Sequence, residues 1–217
     1  MKPLIVPAIL VKSRAEFARK LKQTEGAANV VQVDIMDGRF VPNKTWFDAK
    51  AVSAMKAKIQ FDLDLMVNNP LPIVTDWMKV KGLRRVFFHV ESPVRMGDMI
   101  REAREHCLQV GLAISPGTPL KRLTTYLKRI DAVLVMGNKP GFGGMPLDSH
   151  TIDTVRAIRK LSRAIPIGFD IGVTHETIPT LVQAGVTELC AGHAVFGKKS
   201  PKTNIRALQK IATRASR

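Results

Sequence analysis

The feature that most constrains this chain is alternation. Eight short runs rich in β-branched and aliphatic residues are separated by longer amphipathic segments. The runs read as strands at Leu4–Ile9, Val30–Ile35, Ile59–Met66, Arg85–Val90, Val110–Ile114, Ala132–Met136, Ile167–Asp170 and Glu188–Ala191. The segments after them, 13–25, 48–58, 70–81, 94–109, 120–129, 148–163, 175–184 and 201–214, carry helical patterns. Ser13 followed by Glu16 predicts a capping box at the start of the first. Strict strand–helix order predicts parallel pairing throughout, because a parallel neighbour is reached only through a crossover. With 217 residues, near the lower end for a closed barrel, the expected fold is an α/β single-domain (β/α)8 TIM barrel spanning 1–217. A doubly wound open sheet shares the alternation. It gains little support, since no Gly-x-Gly-x-x-Gly opens the first helix.

Bulk properties narrow the function classes. The longest apolar stretches fall well short of the roughly 20 residues a membrane span requires. Leu4–Val11 is too short for most secretory signals and is followed by no small-residue cleavage site, so a cytoplasmic location is expected. Cys107 and Cys190 are too few and too far apart for a disulfide framework or a thiolate zinc site. The formal net charge of +16 raises the question of nucleic acid. The Lys and Arg residues are scattered, no aromatic-interleaved basic motif occurs, and Tyr126 is the single tyrosine. A basic exterior that attracts anionic small molecules is the preferred reading, and nucleic acid is not an expected partner.

In a β/α barrel, residues at the C-terminal strand ends face the active site. Side chains alternate along a strand, so Gln32, Asp34 and Met36 share one face and Asp62, Asp64 and Met66 share another. A carboxylate inside a small barrel is costly unless it is paired, metal-bound or at the mouth. Asp37 and Asp48 read as turn and helix-cap residues. Asp34, Asp62 and Asp64 do not, because apolar neighbours surround them. Pro140 to Gly144 reads as an anion cradle in which glycines let backbone amides converge on phosphate oxygens, with Gly172 and Gly192 adding amides from the last two strand ends.

At these residues the sequence resembles the ribulose-phosphate 3-epimerase family, from about Pro7 to Gly197. The stretch Val33 to Asn43 (VDIMDGRFVPN) is similar to the family's strand-two signature. Leu65-Met66 with Asn69-Pro70, Phe88-His89-Val90-Glu91, Ser115 to Pro119, Pro140 to Gly144, Asp170 to Val173 and Ala191 to Gly197 match later strand ends in order and spacing. The resemblance implies C3 epimerisation of a small phosphorylated ketose through an enediolate, with Asp34 and Asp170 as the acid/base pair. It implies that Gly141, Gly143, Gly144, Gly172 and Gly192 hold the phosphate, where His193 would either hydrogen-bond it or crowd it. Met36, Met66 and Met136 would form an apolar lid. It also implies a homo-oligomer.

Several positions depart from that pattern. The family holds a divalent metal with two histidines and the same two aspartates; here Gln32 and Asp64 stand at the histidine positions. Ala8 replaces a serine, Lys139 an asparagine, Ile171 a glycine, and His193 a small hydroxyl residue. The tentative ligand set Gln32, Asp34, Asp64 and Asp170 is all oxygen, which favours magnesium or manganese over zinc, or no metal at all. Without a metal the carboxylates would repel, so that at least one is expected to stay protonated, with a nearby cation such as Lys139 offsetting the repulsion in part. Two functions therefore stand side by side: an active epimerase with altered metal use, and a non-catalytic sugar-phosphate binder. Apart from His89 near the end of strand four, the remaining histidines read as packing or surface residues.

Overall fold

The computed structural model describes residues 2–217. Eight parallel strands close on themselves in sequence order: β1 (Leu4–Ile9), β2 (Val30–Met36), β3 (Gln60–Met66), β4 (Leu83–His89), β5 (Gln109–Ile114), β6 (Ala132–Met136), β7 (Ile167–Asp170) and β8 (Glu188–Ala191). The last strand pairs with the first, Leu4 with Glu188 through Pro7 with Ala191, so no edge is left. The closed barrel is thus the observed fold, and the open sheet is set aside.

Helices α1 (Arg14–Thr24), α2 (Ala49–Ala54), α3 (Leu71–Trp77), α4 (Met96–Glu105), α5 (Lys121–Thr124), α6 (His150–Leu161), α7 (Ile178–Ala184), α8 (His193–Phe196) and α9 (Pro201–Ala215) surround it. Ser13 caps α1 by accepting from the Glu16 amide at 3.2 Å. Glu16 reaches the Lys12 amide rather than that of Ser13, so the capping box is shifted by one residue. Asp48 caps α2. The segment expected to be helical over 120–129 breaks into α5 and a 3-10 turn at Leu127–Arg129. The Thr125 hydroxyl donates to the Lys121 carbonyl at 2.9 Å, a bond that competes with helix continuation.

Outward strand residues pack under the helices in one continuous apolar shell that includes Phe17, Trp77 and Phe169. The barrel interior is stratified. Val6, Phe87, Leu134 and Cys190 belong to its apolar filling. At the N-terminal end of the strands lies a buried ion-pair network. Register between β3 and β4 slips at Phe61/Asp62, so that Phe61 faces Leu83 but Asp62 faces Arg85. Arg84 is the extra residue of this bulge. Arg84 pairs with Asp62, and Arg85 forms a bidentate pair with Glu188 at 2.8 and 3.0 Å. Asp62 thus belongs to the structural end of the barrel, away from the mouth.

Candidate active site

At the C-terminal strand ends a cavity of about 260 Å³ opens. Asp34 and Asp170 reach it from β2 and β7, Met36, Met66 and Met136 form apolar wall, and Gly141, Gly143, Gly144, Gly172, Gly192 and His193 line the rest. Gln32 and Asp64, fully buried, sit outside this lining. Alternation places them: Gln32 and Asp34 project from the same face of β2, and Asp34 lies directly across from Asp64. Thr45 fixes the end of β2 by accepting from the Met36 amide at 2.9 Å and donating to the Asp34 carbonyl at 2.8 Å.

The polar centre is connected through Gln32. Its amide nitrogen donates to Asp34 Oδ1 at 2.9 Å and to Asp170 Oδ2 at 2.8 Å. Asp170 Oδ1 accepts from the Ile171 amide at 2.8 Å. Asp64 Oδ1 meets His89 Nε2 at 2.9 Å, with both side chains wholly buried. The other ring nitrogen of His89 lies 3.6 Å from Glu91 Oε2, an ion-pair distance too long for a hydrogen bond. Phe40 covers the imidazole, ring centroids 5.0 Å apart. The cation that offsets the carboxylates is therefore His89. Lys139 is exposed and does not line the cavity, which corrects the expectation that it would serve.

Burial and mutual repulsion set the acid/base properties. Burial pushes Asp34 well above the ordinary carboxylate range, and the charges of Asp170 and Asp64 push it further. Burial, then Asp64, raises Asp170 to about 7. For His89, burial favours the neutral ring, but the charge and hydrogen bond of Asp64 and the proximity of Glu91 reverse this and lift it to about 9. Glu91 is lowered to about 2 despite burial, by His89 and by hydrogen bonds such as that from the Ser115 amide. One centre thus holds two carboxyls pushed up by burial and by one another's charge, beside an imidazole pushed up by its two acidic partners.

The loop after β6 forms the other end of the cavity. Gly141 has φ +109°, and a Cβ there would stand 3.0 Å from Val41. Its carbonyl accepts from Asn43 Nδ2 at 3.0 Å, tying this loop to the one after β2. Gly172 has φ +78°, and a Cβ would lie 2.8 Å from the Leu147 backbone, so only glycine lets the β7 loop approach this closely. His193 and Ala194 begin α8 and line the cavity where the first amides of a helix lack intrahelical partners. Ile171, beside Asp170, has φ +70°, a left-handed conformation that is strained for a β-branched residue.

Several residues that the residue pattern does not single out also line the site, Leu10 and Thr174 among them. His175, read as surface, lines the cavity, as do Phe142 and Met145, two large apolar side chains exposed on the β6 loop. Proximity to Pro140–Gly144 was the available signal for the last two. Cys190 also lines it, and burial raises its thiol, which makes it unreactive. His106 and His150 are exposed and near acidic side chains.

Metal binding can be tested against this donor set. Asp34, Asp64 and Asp170 bring ligand oxygens within 4.8 Å of one another and could hold a metal ion. Their composition suits a hard cation. Their surroundings do not form a coordination shell. Gln32 presents N–H donors where a cation requires lone pairs, leaving its own Oε1 without a partner, and Asp64 gives one oxygen to His89, so that only its Oδ2 is left free. Of zinc's nitrogen and sulfur ligands, the nearby imidazole of His89 is spent on Asp64. The set as oriented does not fit a tightly held metal, and Gln32 stands as a donor rather than as the ligand tentatively expected.

Fold and site together define a (β/α)8 barrel with a pair of buried carboxyls at its mouth beside glycine-rich loops. Comparison with known proteins narrows this class. The Ribulose-phosphate 3 epimerase family matches residues 4–196. The ribulose-phosphate 3-epimerase of Mycobacterium bovis is 34% identical over 220 residues, covering 99% of this chain and 95% of that protein. That of Serratia marcescens is 34% identical over 205 residues, covering 90% and 96%. The chain belongs to the ribulose-phosphate 3-epimerase family. Among solved structures, 3-keto-L-gulonate-6-phosphate decarboxylase from Vibrio cholerae superimposes with a TM-score of 0.76 at 13% identity, covering 99% of both chains. For 3-hexulose-6-phosphate synthase from Salmonella typhimurium the TM-score is 0.73 at 16% identity, covering 99% of this chain and 100% of the other. At such identity these two share the fold alone. No helix among the described residues is long and apolar enough to cross a membrane.

Proposed function

We propose that the protein interconverts ketose phosphates of the ribulose and xylulose type by inverting C3 through an enediolate. One observation carries the reading: Asp34 and Asp170 share a cavity and one hydrogen-bond bridge, and burial raises both above the ordinary carboxylate range. Epimerisation next to a carbonyl requires a base on one face of the carbon and an acid on the other. Asp170, poised near neutrality, takes the C3 proton from one face. Asp34, whose protonated form burial and the charges of Asp170 and Asp64 favour, delivers a proton to the opposite face. The next substrate in the reverse direction finds the roles exchanged. The methionines exclude water from the intermediate, and the β6, β7 and β8 loops grip the phosphate, fixing C3 between the carboxyls.

Solvent exchange tests this. In deuterated water the protein should wash deuterium into C3 of ribulose or xylulose 5-phosphate, and Asp34→Asn or Asp170→Asn should each abolish it. Thermal stabilisation by these sugar phosphates with no exchange, whether or not a divalent metal is added, would leave a binding protein and overturn the enzymatic reading.

A further inference from the structure

We infer that Gln32 is a positioning residue which assembles the acid/base centre without a metal ion. The inference rests on the epimerase reading and deepens it. The same amide nitrogen reaches Asp34 Oδ1 at 2.9 Å and Asp170 Oδ2 at 2.8 Å, so it ties together side chains from β2 and β7 that have β1 and β8 between them in the wall. With the amide reversed, Oε1 would lie against two carboxylate oxygens at those distances, of which at most a protonated one could donate to it, whereas Nε2 can donate to both. The N–H orientation is the one that satisfies acceptors, and leaving Gln32 Oε1 unpartnered is its cost.

The third carboxylate is handled separately. Asp64 is held by His89 at 2.9 Å, and His89 is flanked by Glu91. The centre therefore contains its own cation and its own bridge. Two residues that cannot act as imidazole ligands, Gln32 and Asp64, each have a resident hydrogen-bonding role. A divalent ion entering between Asp34, Asp64 and Asp170 would have to turn Gln32 first.

Wild type, Gln32→Met and Gln32→Glu are compared, each melted first to confirm folding. Metal content is measured by elemental analysis, Mn²⁺ binding by the loss of the free-ion electron paramagnetic resonance signal, and C3 exchange in the presence of chelator. Wild type should contain little metal, bind Mn²⁺ weakly and retain exchange in chelator. Gln32→Met keeps the volume without the donors and should lose on the order of 10- to 100-fold in kcat with KM little changed, as misplaced carboxyls would. Gln32→Glu should bind Mn²⁺ far more tightly than wild type. Stoichiometric metal in wild type, exchange only after Mn²⁺ or Mg²⁺ is added, or an unchanged kcat in Gln32→Met would overturn the inference. Should no variant turn over any sugar phosphate, the epimerase reading fails. The comparison of Mn²⁺ binding between wild type and Gln32→Glu then decides the role of Gln32 alone, equal affinity refuting it.

Discussion

Replacing His89 with glutamine removes the one buried cation of the acid/base centre and leaves Asp64 and Glu91 facing an uncharged amide. Asp64 and His89 are both fully buried, and breaking such a pair by removing one partner costs about 3–5 kcal/mol. A second route gives a similar figure. The gap between the ordinary 6.5 and about 9 corresponds to about 3 kcal/mol of preferential stabilisation of the charged ring. Because the folded-state value is raised, that stabilisation is complete below pH 6.5 and disappears as pH rises through about 9. The other titrating groups that face His89 or its partners are Asp64, Glu91, Asp170 and Asp34. All four remain in the variant, so subtracting the two stability curves isolates the imidazole. Urea unfolding of wild type and His89→Gln at pH 6 and pH 10 should show a difference of about 3 kcal/mol at the lower pH, shrinking to about 1 kcal/mol or less at the higher. A difference below about 1 kcal/mol at pH 6, or one independent of pH, would refute an internal imidazolium.

The remaining predictions follow from the same geometry. Asp170 is raised to about 7, so its ionisation opposes folding: wild type should lose on the order of 4 kcal/mol as pH rises from 4 to 8, and Asp170→Asn should flatten that slope in thermal melts. For the direction in which Asp170 is the base, kcat/KM should fall about tenfold per pH unit below about 7. Gly172→Ala places a Cβ 2.8 Å from Leu147 and should raise KM for phosphorylated substrate roughly tenfold or more by displacing the cradle, while leaving weak exchange on an unphosphorylated ketose unchanged. Glu188→Gln, at the opposite end of the barrel, strands Arg85 and should cost about 3 kcal/mol of stability by urea unfolding without altering kcat of the folded enzyme.

Much of this molecule was legible before any coordinates. β1, β6, β7 and β8 occupy the spans their residues indicate, because a strand buried on both faces reads as a nearly continuous apolar run, with Asp170 and Glu188 only at the strand ends. Period-two alternation placed Gln32, Asp34 and Met36 on one face, and family resemblance supplied the glycine loops that line the cavity. Helix ends were less legible, since Lys56, at φ +50°, and the hydroxyl of Thr125 stop helices that amphipathic pattern alone would continue. The four-residue α8 is too short to leave a periodic signal.

What the sequence determined was therefore a parallel barrel, the glycine-rich loops at its mouth and the two aspartates beside them, through local pattern and family resemblance. Tertiary structure alone decided how those carboxylates are neutralised. Lys139 is close to the site in sequence but points to solvent, whereas His89, from the neighbouring strand, is brought onto Asp64. That pairing depends on β3–β4 register, which slips by one residue at Phe61/Asp62 and sends Arg84 and Arg85 to the far end of the barrel. The direction in which Gln32 turns its amide depends on acceptors contributed from β2 and β7 together. Register and amide orientation are set by long-range hydrogen bonding across a closed sheet, which no local stretch of the chain contains.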